Sequence, residues 1–321
     1  MKILKDSIER AIIDNDPSRM VFRFSKDEGH TKSFGYEWTK YSRTYSDAQL
    51  GVAVSMAHME AVLGFPAEFL KGMNVIEIGC GAGRFTEIFA DYTKHVVATD
   101  LSRAVYVNAA MGRPNVTLIQ ADLLDIPELS EPIDLVFCRG VIQHTVNPHQ
   151  SLKRIFDYCR PGGLVIFDVY KKYWWDKFNF KYFWRPFFKR LVPMEKFDQF
   201  INRHDEFLYK THHAYLKIVA RIPIFRVIIG KTPFYFGVNW EKQYKHLTHK
   251  QRLEIFKNEL VDTFYAEYDQ PMTRNEIIYT LAEIGQIPYS HDVFRNYFRY
   301  KKSENSKQIR VQITKNGIFQ I

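Results

Sequence analysis

The residue types best suited to chemistry crowd into positions 75 to 100. An apolar run, Val75 to Ile78, ends in Gly79-Cys80-Gly81-Ala82-Gly83-Arg84, with one acid, Glu77, two residues before the first glycine. Glycines at alternate positions let the backbone turn tightly and approach a ligand with no Cβ in the way. A second apolar run, His95 to Thr99, ends on Asp100, where a doubly wound sheet offers a carboxylate to ribose hydroxyls. Dinucleotide folds need G-x-G-x-x-G, whose third glycine lets a helix start beneath a pyrophosphate. Here the third glycine falls one residue early and Arg84 stands in its place. A carboxylate at Glu77 would repel a pyrophosphate but suits the ammonium end of a cationic ligand. The expected occupant is a nucleoside with a positively charged tail.

This stretch resembles the first motif, acid-x-G-x-G-x-G, of the class I methyltransferases that use S-adenosylmethionine. The resemblance implies that Glu77, Gly79, Gly81 and Gly83 surround the methionine part, and that Asp100 holds the ribose with Leu101 beside it. In that family the acid after the third strand bonds the adenine amino group and its neighbour packs on the ring; Asp122 and Leu123 match those positions. The similarity runs nearly unbroken from about Met73 to Tyr170, and it implies S-adenosylhomocysteine as product. The bland alternative is a glycine turn that only packs a helix against a sheet.

A sulfonium methyl is already activated, so the protein supplies mainly alignment and removal of water. An oxygen or nitrogen nucleophile must also lose a proton at some stage. His144, just past the apolar run Asp134 to Cys138, is the candidate base, because ligands of open α/β sheets bind at that edge and an imidazole accepts protons near neutral pH. Some small-molecule and quinone-precursor O-methyltransferases that this segment resembles carry a histidine here. Its other reading is a local hydrogen bond that shapes the turn before Asn147-Pro148. Asp168 is a second candidate, or an inward strand residue paired with backbone. Arg139 either contacts donor or substrate or makes a surface salt bridge. His204, His212 and His213 either reach the site or lie exposed on a basic helix.

The elements that must position these residues alternate. Strands end at Ile78, Asp100, Gln120, Cys138 and Val169, with helices between them, and Arg160-Pro161-Gly162-Gly163 is expected to stop a helix before the fifth strand. Such alternation implies a parallel sheet with right-handed crossovers. The fold class is α/β: a doubly wound, mostly parallel seven-stranded sheet with an N-terminal helical arm and an inserted helical cap. The division expected is 1–72 arm and flap, 73–170 cofactor-binding core, 171–247 cap, and 248–321 the rest of the core with strands six and seven after 287. Residues 1–16 read as a short amphipathic helix, and 34–41 as either a flap over the cofactor or an arm. Capping boxes are expected at Ser46/Gln49, Thr248/Gln251 and Thr273/Glu276.

The insertion sets Tyr173, Trp174, Trp175, Phe178, Phe180 and Phe183 among Lys177, Lys181, Arg185 and Lys189. It admits a substrate cap, a membrane-surface element over 171–190, a nucleic-acid face, or a helical subdomain with its own core. Phe137-Cys138-Arg139-Gly140 lacks both the Asn/Asp-Pro-Pro-aromatic motif of base amino-methylating enzymes and the Pro-Cys nucleophile of pyrimidine carbon-5 enzymes, which lowers the weight of a nucleic-acid target. The net charge of +9 permits nucleic acid, anionic lipid or an acidic small molecule without choosing. Cys80, Cys138 and Cys159 lack metal spacing and read as buried thiols of a reducing compartment. There is no signal-peptide h-region and no long apolar run, so the cytoplasm, with peripheral contact at the inner membrane surface, is the expected location. The function expected is O-methylation of a small-molecule, sugar or lipid-linked acceptor. An RNA methyltransferase and a non-catalytic nucleoside-binding protein of the same fold are the alternatives.

Overall fold

The structure is a computed structural model that describes residues 9–12, 19–25, 27–41, 54–173, 180–221, 247–292, 297–303, 311–314 and 317–320. Two strands, β1 (Glu9–Ile12) and β2 (Met20–Arg23), precede helices α1 (Lys32–Lys40) and α2 (Val54–Leu63). Then strands and helices alternate: β3 (Asn74–Ile78), α3 (Thr86–Tyr92), β4 (His95–Asp100), α4 (Ala104–Ala109), β5 (Val116–Gln120), β6 (Ile133–Cys138), α5 (Pro148–Asp157) and β7 (Cys159–Asp168). Four helices follow, α6 (Phe180–Leu191), α7 (Met194–Arg221), α8 (His249–Tyr265) and α9 (Arg274–Ala282). The chain returns to the sheet with β8 (Ser290–Asp292) and β9 (Tyr297–Lys301), and β10 (Val311–Thr314) and β11 (Gly317–Gln320) form a separate hairpin.

All five residues of β3 are buried, as a short apolar run bounded by turns requires when both faces of a sheet are covered. It pairs in parallel with β4 and with β6, and β5 and β7 extend the two sides, also in parallel. Antiparallel β9 and β8 close the seven-stranded core in the order β5-β4-β3-β6-β7-β9-β8. The order reverses between β3 and β6, so a crevice opens at the carboxyl ends of these two strands. Apolar clusters fill both faces, one around Ile76, Val136, Leu152 and Phe298, the other around Val75, Phe89, Val96 and Phe137.

Three expectations need correction. The helix expected over 1–16 is, in its described part, strand β1; it pairs with β2, which runs parallel to β5 with Val21 opposite Leu118. An exposed edge at β5 would leave backbone donors and acceptors unpaired, and this pairing satisfies them. Second, Arg160-Pro161-Gly162-Gly163 does not precede the fifth strand but lies inside β7. The register there jumps from Ile133↔Cys159 to Leu135↔Leu164, so the four residues form an irregularity that the ladder absorbs. Third, the chain does not rejoin the core at 248. Helix α8 shares an apolar cluster with α1, α6 and α7, built on Tyr41, Phe197, Ile201, Phe256, Leu260 and Phe264. The return comes at Lys171–Met272, a single bridge between segments on either side of the three helices.

Both capping boxes expected after residue 247 are present, on Thr248 with Gln251 and on Thr273 with Glu276. The Ser46/Gln49 box, Trp174, Trp175, Lys177 and Phe178 lie outside the described residues, as do residues 222–246. Of the basic residues in 171–190, Lys172 pairs with Glu276, Arg185 with Asp269 and Lys189 with Glu267. Among the described residues no helix is long and apolar enough to cross a membrane.

Candidate active site

The crevice holds a cavity of about 420 Å³. Its floor is the glycine bend after β3. Gly79 sits at φ +76°, and a Cβ there would come within 2.1 Å of the Val141 side chain, so only glycine lets the loop after β6 approach this closely. Gly83, at φ +96°, lies where a Cβ would meet Met111 and Asn108; it packs α3 against α4 and does not border the cavity.

Glu77 and Asp100 brace this floor. Glu77 is 2% exposed and accepts a 2.5 Å hydrogen bond from the Thr86 hydroxyl, which in turn accepts one from the Asn108 amide. Burial pushes its carboxyl up to about 8; the Thr86 bond opposes this, and the charge of Asp100 adds to it. Asp100 accepts from the Gly81 N–H at 2.8 Å and from the Ser102 N–H and hydroxyl at 2.8 and 2.7 Å. It therefore ties the tip of β4 to the bend after β3. Burial raises its carboxyl too, against those three bonds. Asp122 follows β5 and accepts from the Leu124 N–H, which turns Leu123 into the cavity wall.

The structure brings Glu77, Gly79, Gly81, Asp100, Leu101, Asp122, Leu123, Arg139 and His144 to this one cavity. Arg139 lies over the Phe85 ring at 5.5 Å. Asp168 is the correction. It does not border the cavity, because its Oδ1 accepts from the Gly140 N–H at 2.6 Å and its Oδ2 lies 3.8 Å from Arg139 Nε. Its place is under the loop after β6, which it holds in shape. His204, His212 and His213 all lie on α7 and none lines the cavity. His204 packs on Phe200, and His212 packs on Phe256.

His144 belongs to a short 3₁₀ turn after β6, and its ring is held between Phe34 at 4.8 Å and Tyr170 at 5.3 Å. Its Nδ1 lies 2.7 Å from the Tyr268 carbonyl oxygen. A carbonyl oxygen only accepts, so Nδ1 carries the proton and the neutral ring keeps its lone pair on Nε2.

The opposite wall comes from α1, α8 and the segments beside them. Trp38 of α1 lies over Gly81, and His30, Thr31, Phe34 and Glu37 line the cavity with it, so the aromatic stretch 34–41 is a helix over the glycine bend. It is fastened there by Glu28, which accepts from the Arg103 N–H at 2.8 Å and its Nε at 2.7 Å. Asn258, Glu259 and Asp262 of α8 complete the wall. The α8 residues Asn258, Glu259 and Asp262 escaped sequence reasoning. The available signal was Asn258 and Asp262, one turn apart on a helix otherwise committed to burying Phe256 and Leu260.

Residues 76–167 match the family model of a methyltransferase domain. These residues form a methyltransferase domain, similar in sequence to those of S-adenosylmethionine-dependent methyltransferases, among them a probable one of Mycolicibacterium smegmatis at 28% identity over 95 residues, covering 30% of this chain and 37% of that one. The methyltransferase domain is 24% identical over 104 residues to the ubiquinone biosynthesis O-methyltransferase of Coxiella burnetii, covering 31% of this chain and 44% of that one. It is 29% identical over 105 residues to a malonyl-acyl-carrier-protein O-methyltransferase of Paenibacillus, covering 30% and 38%. The chain spans less than half the length of the curated relatives it matches. Among solved structures, the YcgJ protein of Bacillus subtilis is similar at 20% identity and a TM-score of 0.35, over 41% of this chain and 58% of that one.

Proposed function

We propose that this protein transfers the methyl group of S-adenosylmethionine to an oxygen of a small-molecule, sugar or lipid-linked acceptor, with His144 as the base. The residues present suit that cofactor: Glu77 for its ammonium, the Gly79–Gly81 bend for a close backbone approach, Asp100 for ribose hydroxyls, and Asp122 with Leu123 for adenine. When bound, S-adenosylmethionine supplies a methyl group whose carbon–sulfur bond breaks with the electron pair left on sulfur. His144 Nε2 would take up the proton that the acceptor hydroxyl loses when it is methylated.

The observation that carries this reading is the Tyr268 carbonyl on His144 Nδ1, which leaves the basic nitrogen available in a ring that borders the cavity. Two relatives named as O-methyltransferases add support. The test is labelled methyl transfer to hydroxylated sugars, phenols and lipid-linked sugars, read by mass spectrometry as the gain of one methylene. His144→Ala is expected to lower kcat by about 10²–10⁴-fold, the usual contribution of a positioned base, while S-adenosylhomocysteine affinity stays within about twofold. Full activity of His144→Ala, or methyl recovered on nucleic acid instead, would refute the assignment.

A further inference from the structure

The wall facing the sheet is acidic and short of hydrogen-bond donors. Glu37 is 3% exposed and Asn258 2% exposed, and both line the cavity together with Asp262. Glu37 Oε2, Asn258 Oδ1 and Asp262 Oδ1 are each buried without a hydrogen-bond partner among the described residues. A buried acceptor left unpaired costs its full desolvation, so three in one wall are a strong preference for a ligand that donates. Glu259 adds a further carboxylate to the same wall. Among the described residues, Lys40 beside this wall pairs with Asp198, Arg185 with Asp269, and Lys257 with Glu254 and Asn202, while Arg84 and Arg139 stand across the cavity near the glycine bend and the loop after β6. Burial, and after it the charges of Asp262 and Glu259, hold the Glu37 carboxyl well above its ordinary range, against one hydrogen bond from the Asn258 side chain that leaves Glu37 Oε2 and Asn258 Oδ1 unpaired.

We propose that the methyl acceptor carries a positively charged primary amino group, seated between Glu37, Asn258 and Asp262, with its reacting hydroxyl toward His144. This rests on the methyl-transfer reading and narrows its substrate class. A primary ammonium has three N–H donors and no acceptor, which matches three orphan acceptors; a hydroxyl offers one donor and leaves the charge of the wall unbalanced. The wall belongs to α1 and α8, whereas the residues that suit the cofactor stand on the bend and strand tips across the cavity. The amino group of the cofactor therefore has its own partner, Glu77, on the other side.

The experiment uses the full chain saturated with S-adenosylhomocysteine and two matched pairs of probes: tyramine against 4-ethylphenol, and glucosamine against glucose. Thermal unfolding should shift upward with at least one amine and not with its uncharged counterpart. Glu37→Gln and Asp262→Asn should each abolish that shift while S-adenosylhomocysteine affinity stays within about twofold. In labelled methyl transfer, the same variants should raise KM for the amine acceptor about tenfold or more, the scale of one lost charge-assisted hydrogen bond, with kcat nearly unchanged. Equal shifts for amines and neutral partners, no shift with either amine, or an amine shift that survives in both variants would overturn the proposal. An amine-specific shift without methyl transfer would overturn the catalytic reading instead and leave the amine site standing.

Discussion

The seat proposed for the cofactor's ammonium at Glu77 would make cofactor binding a proton-linked event. Its carboxyl, pushed up to about 8 by burial, is protonated at pH 6 and 7 in the free protein. A ligand ammonium placed against it favours the carboxylate, so binding below pH 8 requires the proton to leave. Each unit below the free-protein value costs about 1.4 kcal/mol, so at pH 6 the two units cost about 2.7 kcal/mol, or a factor of ~100 in Kd. S-adenosylhomocysteine should therefore bind about tenfold more tightly with each unit from pH 6 to pH 8, the slope ending near that pH. Calorimetry at pH 6.5 in two buffers of different ionisation enthalpy should show close to one proton released per ligand. Glu77→Gln cannot ionise; it should bind more weakly at pH 8, with the slope and the released proton both gone. A flat affinity from pH 6 to 8 with no proton release in the native protein would refute the reasoning, because it would mean that Glu77 does not change charge when the cavity fills.

The same carboxyl sets the pH dependence of stability. A raised folded value means the native state holds a proton that the unfolded chain has lost, so the ligand-free protein should lose stability as pH rises from the ordinary carboxylate range to about 8. Thermal unfolding should show a lower Tm at pH 8 than at pH 6, with the gap narrowed by Glu77→Gln. Gly79→Ala combines a positive φ with a Cβ 2.1 Å from Val141, so it should cost about 1–3 kcal/mol of stability and abolish S-adenosylhomocysteine binding; adding Val141→Ala should recover part of the stability and not all of it, since φ is unchanged. Gly35→Ala would place a Cβ 1.9 Å from Glu28 Oε1, so it should loosen the Glu28–Arg103 fastening. The expected readout is faster proteolysis within residues 27–41, with an unchanged Tm for the sheet.

The core was legible because its strands are continuous apolar runs with chemistry at their tips. Val75–Ile78, His95–Thr99 and Asp134–Cys138 have no amphipathic rival, and each acid or glycine after them marks a carboxyl end. Residues 9–12 offered no such certainty: four residues do not separate a helix face from an edge strand, and the sheet edge at β5 decided the matter. Asp168 misled for a related reason. A strand-tip carboxylate can face the crevice or reach back to a neighbouring loop, and the Gly140 N–H settles which. Of the opposite wall, 34–41 was read as a flap or an arm, but its α8 partner was illegible because Glu37 and Asp262 are separated by most of the chain and meet only when the third apolar cluster forms.

Charge shows why that wall matters more than its sequence suggests. The chain carries +9, yet six carboxyl residues line its cavity, Glu37, Glu77, Asp100, Asp122, Glu259 and Asp262, against two arginines, Arg84 and Arg139. A basic surface with an acidic interior draws anions to the outside and cations within. Carboxylates in one enclosed space cannot all ionise at neutral pH without positive partners, and burial raises Glu37, Glu77 and Asp100 accordingly. Each cation admitted lets a protonated carboxyl ionise, so a cationic cofactor and a cationic acceptor would both be favoured, on opposite walls. Phosphate-rich ligands would meet the reverse, since a phosphodiester entering this cavity faces unpaired acceptors on the wall of α1 and α8 and carboxylates on the floor. The basic exterior therefore governs approach, while the cavity selects positive charge.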